Sequence, residues 1–234
     1  LRLGPGWYNQ NVRTCEGNMV YGVPKIKAVA VQKEKVLFRS DRDTRAYKGP
    51  ILYNQMYIGE IYDANVLREP AVVLNIETYD NYDSVPRLQN IPCDKVIKEH
   101  CLFPVSPTLI YEDKARNLKT YDAGVNMTGR IFIVTSAVKG NQVHIRYAES
   151  VDADGQLTYS TTAGVDRLQE DVYISDGTSG QKYGAEFVLH GFRYFTIEGE
   201  IDTFRCDLIL PDFKERKHFI TKNKLLEEIV RLYQ

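Results

Sequence analysis

No apolar run in this sequence approaches the roughly 18 residues that a membrane-spanning helix requires. An excess of charge of one sign is lacking too, because 30 basic and 31 acidic side chains leave a formal net charge of −1. So balanced a charge provides no strong field to attract a phosphate backbone or an anionic membrane surface. We therefore expect a soluble protein that binds no nucleic acid and has no membrane span.

Cysteine and histidine are scarce, with four of each in 234 residues. The cysteines form no C-x-x-C pair and the histidines have no spacing typical of a metal site, so we expect no metal. Two states of the cysteines stay open: four free thiols, or a Cys93–Cys101 disulfide in an oxidising compartment.

No signal peptide is visible before the first glycine-rich turn, and the chain starts at Leu1, as a piece of a longer protein would. The compartment stays open.

Motifs for nucleophilic catalysis and nucleotide binding are absent as well. The sequence contains no G-x-S-x-G elbow, no Rossmann glycine pattern and no phosphate loop. Residues 152–155, DADG, lack the further ligands of a calcium loop and predict a hairpin turn instead. A glycosidase needs a pair of carboxylates, and four acids are candidates for one. All four fall at predicted strand ends or turns, where solvated acids are usual: Glu60, Asp63, Asp122 and Glu149.

Short strand patterns are what the sequence does contain. Residues 28–38 read as two strands around a polar turn, and Val143, Ile145 and Tyr147 alternate with polar positions. Turn dipeptides at 140–141, 154–155 and 176–177 predict three further hairpins. With no helical pattern between them, these strands predict an all-β protein of antiparallel, jelly-roll-like β-sandwiches.

Prolines interrupt residues 75–107 and predict a connector, with a domain boundary close to Pro104. Near the end of the chain, apolar residues at 225, 226, 229 and 232 recur at helical spacing, with Thr221 or Asn223 as the cap. The predicted division is a partial β-sandwich over 1–104 including the connector 75–104, a β-sandwich over 105–212, and the start of a helical domain over 213–234.

Several segments occur in the order found in the bacterial α-L-rhamnosidases of glycoside hydrolase family 78, and together they resemble that family. They are residues 121–129 (YDAGVNMTG), 144–149 (HIRYAE) with the turn 152–155, 171–173 (DVY) and 187–194 (FVLHGFRY). Upstream, residues 6–9, 49–51 and 59–64 resemble parts of the sandwich that precedes this region in the family. Downstream, residues 223–226 resemble the opening of its catalytic helical toroid.

The resemblance implies hydrolysis of terminal α-L-rhamnosyl residues with inversion, by an acid and a base further along the toroid. This chain alone is then an inactive accessory portion whose partners are the catalytic domain and, through the parent enzyme, rhamnose-containing glycosides. Some relatives bind rhamnose through calcium at an Asx residue before their Gly-Trp pair. Pro5 occupies that position here and offers no side-chain ligand, so we expect no cofactor.

Two other functions remain open: a stand-alone carbohydrate-binding module, and an interaction fragment without sugar affinity. A truncated first sandwich would expose a sheet edge, which favours a homodimer. The candidate carbohydrate-binding residues are Trp7, Tyr57, Glu60, Tyr62 and Asp63. The candidate structural or domain-interface residues are Asp122, Asn126, Glu149, His190 and Arg193.

Overall fold

The structure is a computed structural model that describes residues 28–41, 43–55, 58–67, 73–74, 102–159, 168–210 and 221–232. Within these residues nearly all of the regular secondary structure is β-strand, which confirms the predicted all-β class with a short C-terminal helix. The helix α1, the single α-helix of the described residues, is not long and apolar enough to cross a membrane. The strands and the helix are β1 Val29–Gln32, β2 Lys35–Arg39, β3 Ala46–Tyr47, β4 Ile51–Gln55, β5 Gly59–Asp63, β6 Val73–Leu74, β7 Leu102–Val105, β8 Thr108–Asp113, β9 Leu118–Thr135, β10 Gln142–Ala148, β11 Ser150–Val151, β12 Leu157–Thr158, β13 Gln169–Ile174, β14 Gln181–Tyr183, β15 His190–Glu198, β16 Thr203–Ile209 and α1 Lys224–Leu232.

One large sheet organises the molecule, with the strand order β4-β5-β13-β10-β15-β9-β16-β7. The 18-residue strand β9 lies at its centre and has two sets of neighbours. Its first part pairs with β8 and β15, and its last part pairs with β14 and β16. The pairs in this sheet are antiparallel except for β5 and β13, which run parallel. The long strand therefore links two sets of strands that enclose one core.

The predicted alternation in β10 is confirmed, since Val143, Ile145 and Tyr147 are all at most 1% exposed. Because side chains alternate between the faces of a strand, these three point to the same side. They join Ile131 and Ile133, from the last part of β9, in a single apolar cluster. Burial of these side chains is the main stabilising term of the fold.

Two of the predicted hairpins are confirmed and two turns are not hairpins. Lys33 and Glu34 have φ values of 45° and 66° and join the paired strands β1 and β2. Residues 154–155 lie between the paired strands β11 and β12. The turn at 140–141 joins β9 to β10, but β15 lies between those strands. The turn at 176–177 joins β13 to β14, which pairs with β9. The prediction was wrong at these turns because a turn sequence does not determine which strand becomes the neighbour.

The predicted boundary at 104 falls inside β7, which pairs with β16 in the large sheet. Strands β4 and β5, from the predicted first domain, extend the same sheet through β13. Gly59 makes this join possible: its φ is 144°, and an added Cβ would lie 1.8 Å from the carbonyl oxygen of Glu170. The described part of 51–63 is therefore continuous with the second sandwich, whereas the rest of the predicted division stays a prediction.

The cap of α1 is Asn223. Its side-chain Oδ1 accepts hydrogen bonds from the backbone N–H groups of Leu225, at 3.1 Å, and Leu226, at 3.4 Å. The hydroxyl of Thr221 accepts instead from the backbone N–H of Asn223. Of the two predicted caps, the asparagine thus satisfies the free donors of the first helical turn.

Candidate functional site

A cluster of buried polar side chains is formed by residues of β5, β10, β13, β14 and β15. We call Glu60, Tyr147, Asp171, Tyr183 and His190 the buried polar cluster. Each of its members is at most 4% exposed. The Asp171 carboxylate is its centre: it accepts from the Tyr147 hydroxyl at 2.7 Å, from His190 Nε2 at 3.0 Å and from the Glu60 backbone N–H at 3.0 Å. A buried carboxylate needs such donors to replace the water it has lost.

Glu60 contributes its carboxylate to the same cluster. It accepts from Asn54 Nδ2 at 3.2 Å, from the Tyr183 hydroxyl at 3.4 Å, and from the backbone N–H groups of Glu186 and Phe187. Burial, with the negative charge of Asp171 nearby, raises the pKa of Glu60 to about 7, although the backbone donors act in the opposite direction. Glu60 thereby ties the β4–β5 hairpin to the segment that precedes β15.

His190 is enclosed on every side. Its ring stacks on Tyr147 with 3.9 Å between ring centroids, and its Nδ1 lies 3.1 Å from Gln169 Oε1. Burial and the neighbouring Asp171 raise the pKa of the Tyr147 hydroxyl well above its ordinary value. Strand β15, which begins with His190, lies between β10 and β9 inside the sheet.

An acid with a raised pKa next to a histidine and an aspartate is typical of acid–base catalysis. Here, however, Glu60 and His190 have 0% exposure, so no substrate reaches either group in this structure. The arrangement instead joins five strands through directional hydrogen bonds. Among the residues that the structure describes, no group of three or more histidine, cysteine, aspartate or glutamate side chains is placed to hold a metal ion.

A second set of charged side chains lies on the opposite, outward-facing positions of β10, β13 and β15. We call Arg116, His144, Arg146, Glu170 and Glu198 the arginine–glutamate cluster. Arg146 Nε lies 2.8 Å from Glu170 Oε1, and its NH1 group donates to Glu198. Arg116 donates to both oxygens of Glu198 at 3.1 Å, and His144 Nδ1 lies 2.9 Å from Glu170. Two arginines and two glutamates therefore neutralise one another.

The pKa shifts in this cluster agree with its ion pairs. Burial opposes the charges of Glu170 and Glu198, yet the hydrogen bonds from His144 and Arg146 lower the pKa of Glu170, and those from Arg146 and Arg116 lower that of Glu198. Sequence reasoning missed these residues. The outward positions of β10 were visible in its alternation, but the strand register that sets Arg146 opposite Glu170 was not.

Four of the predicted structural residues form two pairs. Arg193 binds Asp122 through two parallel hydrogen bonds of 2.9 Å, and this contact lowers the pKa of Asp122. Asn126 Nδ2 lies 3.5 Å from Glu149 Oε1, the upper limit of a hydrogen bond. The structure thus pairs two residues of β9 with Arg193 of β15 and with Glu149, which follows β10. A role of these residues at a domain interface stays a prediction.

The described members of the predicted carbohydrate-binding set are not gathered on one open surface. Glu60 has no accessible area, and Tyr62 packs against Tyr173 with 5.8 Å between ring centroids. Asp63 is half-buried and accepts from the backbone and side-chain amides of Asn65 at 2.9 and 2.8 Å. Two further predicted residues lie outside the described part of the chain: Trp7 and Tyr57.

Comparison with known proteins finds a match for the region that contains the arginine–glutamate cluster and every member of the buried polar cluster except Glu60. Residues 114–214 match the bacterial α-L-rhamnosidase concanavalin-like domain. An α-L-rhamnosidase of Formosa agariphila is 24% identical over 97% of this chain and 26% of its own length. An α-L-rhamnosidase of Streptomyces avermitilis is 28% identical over 84% of this chain and 20% of its own length. The family resemblance predicted from the sequence is confirmed.

Solved structures share the fold. The crystal structure of Streptomyces avermitilis α-L-rhamnosidase complexed with L-rhamnose superposes with a TM-score of 0.71, at 24% identity, over 97% of this chain and 23% of that one. The native α-L-rhamnosidase of Aspergillus terreus gives a TM-score of 0.64 at 18% identity, over 97% of this chain and 28% of that one. The chain thus spans about a quarter of the length of these relatives.

Proposed function

We propose that this chain, whose residues 114–214 match the bacterial α-L-rhamnosidase concanavalin-like domain, is the accessory β-sandwich region of an α-L-rhamnosidase. Its role is to support and orient a catalytic domain that hydrolyses terminal α-L-rhamnosyl residues of glycosides. The observation that carries this proposal is the pattern of coverage: 97% of the chain aligns with only 26% of a whole enzyme.

The described carboxylates support an accessory role. Glu60 and Asp171 are closed to solvent, whereas Glu170, Glu198 and Asp122 are held in ion pairs. Inverting hydrolysis instead needs one carboxyl group to protonate the leaving oxygen and another to activate water, both open to the substrate. The buried polar cluster gives the region the rigidity that a support requires, since it fixes the β4–β5 hairpin to the large sheet.

A chimeric enzyme tests this proposal. The matching region of the Streptomyces avermitilis rhamnosidase would be replaced by this chain, and hydrolysis of a nitrophenyl α-L-rhamnoside would be measured. We expect the chimera to retain activity while this chain alone shows none. Turnover by the chain alone would contradict the proposal, as would a folded, monodisperse chimera that is completely inactive while the parent enzyme is active.

Sugar binding by Trp7, Tyr57 and Asp63 is a second proposal, supported by a relative that was crystallised with L-rhamnose. Titration with L-rhamnose, with and without calcium, would be followed by fluorescence of Trp7, the one tryptophan in the sequence. A saturable change that is lost in Asp63→Asn is the expected result. An unchanged emission at millimolar sugar under both conditions would reject this site.

A homodimer is a further proposal. Strand β4 ends the described part of the large sheet, and its Leu52 is 45% exposed. Unpaired edge strands favour pairing with another chain. Light scattering over a concentration series should show a dimer that is weakened by Leu52→Lys, and a monomer at every concentration would count against it.

A further inference from the structure

A small pocket lies on the outward face of the large sheet, away from the buried polar cluster. Its floor consists of Leu118, Arg146 and Thr196 from β9, β10 and β15, and Leu157 and Tyr159 line its wall. Its volume is about 240 Å³. Because drug-sized ligands occupy pockets of about 300–1,000 Å³, this pocket suits something smaller, of the size of one sugar ring.

The charges around the pocket exclude a strongly anionic ligand. Arg116 and Arg146 both line it, and each is already paired with Glu198. Arg146 is also paired with Glu170. Two positive and two negative groups leave no excess charge with which to attract a phosphate or sulfate. The same groups offer several donors and acceptors in fixed positions, which favours a neutral ligand that carries many hydroxyl groups.

One hydroxyl group that lines the pocket, that of Thr196, makes no hydrogen bond. Thr196 is 5% exposed, and its Oγ1 has no hydrogen-bond partner. A buried polar atom without a partner costs free energy and calls for an explanation, such as a bound molecule. Since Thr196 is one of the residues that line the pocket, a ligand hydroxyl in the pocket would supply the missing partner.

The remaining lining is apolar or aromatic except for Gln156. Leu118 and Leu157 offer hydrocarbon surface, and burial raises the pKa of Tyr159, which keeps its hydroxyl protonated as a donor. Sugar rings present both C–H surface and hydroxyl groups, so such a mixture of aromatic, aliphatic and polar side chains matches them on both counts.

We propose that this pocket binds one neutral sugar unit, free or at the end of a glycan. This inference rests on the pocket alone and does not require the parent enzyme to be a rhamnosidase.

Amide chemical shifts measured by NMR on the whole chain test the proposal. The probes are L-rhamnose, D-glucose and D-galactose, together with an oligosaccharide ending in whichever sugar binds best, and sodium sulfate as the anionic comparison. We expect at least one sugar to shift the amide signals of Arg146, Leu157 and Thr196 in a saturable manner. A response to the oligosaccharide but not to the free sugar would identify a glycan end as the ligand.

The chain provides a matched pair of variants. Thr120 and Thr196 face each other across β9 and β15, and both hydroxyls are buried without a partner, but only Thr196 lines the pocket. Thr196→Val should weaken sugar binding about threefold to tenfold, the effect of one net hydrogen bond, and Thr120→Val should leave it unchanged. Equal effects of the two variants, shifts with sulfate only, or no shift with any sugar would each overturn the proposal.

Discussion

Replacement of Glu60 by glutamine tests the role of the buried polar cluster. The substitution keeps the size of the side chain and removes its charge. In the folded protein Glu60 is fully buried and its pKa is raised from 4.5 to about 7, chiefly by that burial. Asn54 contacts it through Nδ2, and the other end of the same amide, Oδ1, is buried without a partner. A rotated Asn54 amide can therefore accept a hydrogen bond from a neutral Glu60 or from a glutamine in its place.

The sign of the pH dependence follows from proton binding. Between pH 4.5 and about 7 the folded state keeps the Glu60 proton while the unfolded state has lost it, so the free energy of unfolding falls as the pH rises. Below this window the group is neutral in both states, and above it the group is charged in both. At about 1.4 kcal/mol per pH unit, the full effect of this one group amounts to about 3 kcal/mol.

Urea denaturation of the wild type and of Glu60→Gln at about pH 5 and about pH 8 measures this effect. Near pH 5 the two proteins should have similar free energies of unfolding. Near pH 8 the variant should be more stable than the wild type by about 3 kcal/mol. Glu112→Gln, at an exposed position, is the control and should show no such change. A Glu60→Gln difference that is the same at both pH values would refute the reasoning.

Three further predictions concern the packing of the sheet. Gly59→Ala should lower the free energy of unfolding by about 4 kcal/mol or more, because its Cβ would meet the Glu170 carbonyl at 1.8 Å. Gly191→Ala, where a Cβ meets nothing within 4 Å, is the matched control; equal losses in urea denaturation would contradict the prediction. Asp171→Asn should cost about 3 kcal/mol by the same measurement, because an NH2 group would replace one of two buried oxygens that accept hydrogen bonds, and a loss below about 1 kcal/mol would argue against this. Cys206 is 1% exposed and burial raises its pKa to about 12. In a variant whose other three cysteines are serine, its thiol should react with a maleimide only on unfolding, and rapid labelling of the native protein would disprove this.

Local patterns in the sequence were sufficient for much of the fold. The alternation of Val143, Ile145 and Tyr147 predicts a half-buried strand, and the structure buries those three side chains. The turn after β1 and the helix at 224–232 were predicted correctly for the same reason: turn formation and capping depend on residues within a few positions. The ordered motifs between 121 and 194 predicted the resemblance to the bacterial α-L-rhamnosidases, whose concanavalin-like domain matches residues 114–214, without any knowledge of the contacts.

The neighbours of each strand were not visible in the same way. Alternation indicates which residues of a strand face the core, but not which other strand lies beside it. For this reason the turn sequences at 140–141 and 176–177 predict hairpins that do not form. Strand β15 separates β9 from β10, and β14, which follows β13, pairs with β9. The pairing of β7 with β16, about a hundred residues later, was not visible for the same reason, and the boundary at 104 stays a prediction.

The sequence by itself therefore determined the all-β class, the turn between β1 and β2, the C-terminal helix and the resemblance to the bacterial α-L-rhamnosidases. The tertiary structure alone decided that Glu60 is buried, that Asp171 lies against His190, and that Arg146 and Thr196 line one pocket. The physical reason is the distance along the chain. The Glu60 backbone N–H donates to a carboxylate 111 residues away, and contacts of this kind depend on sheet register, which no local pattern of residues encodes.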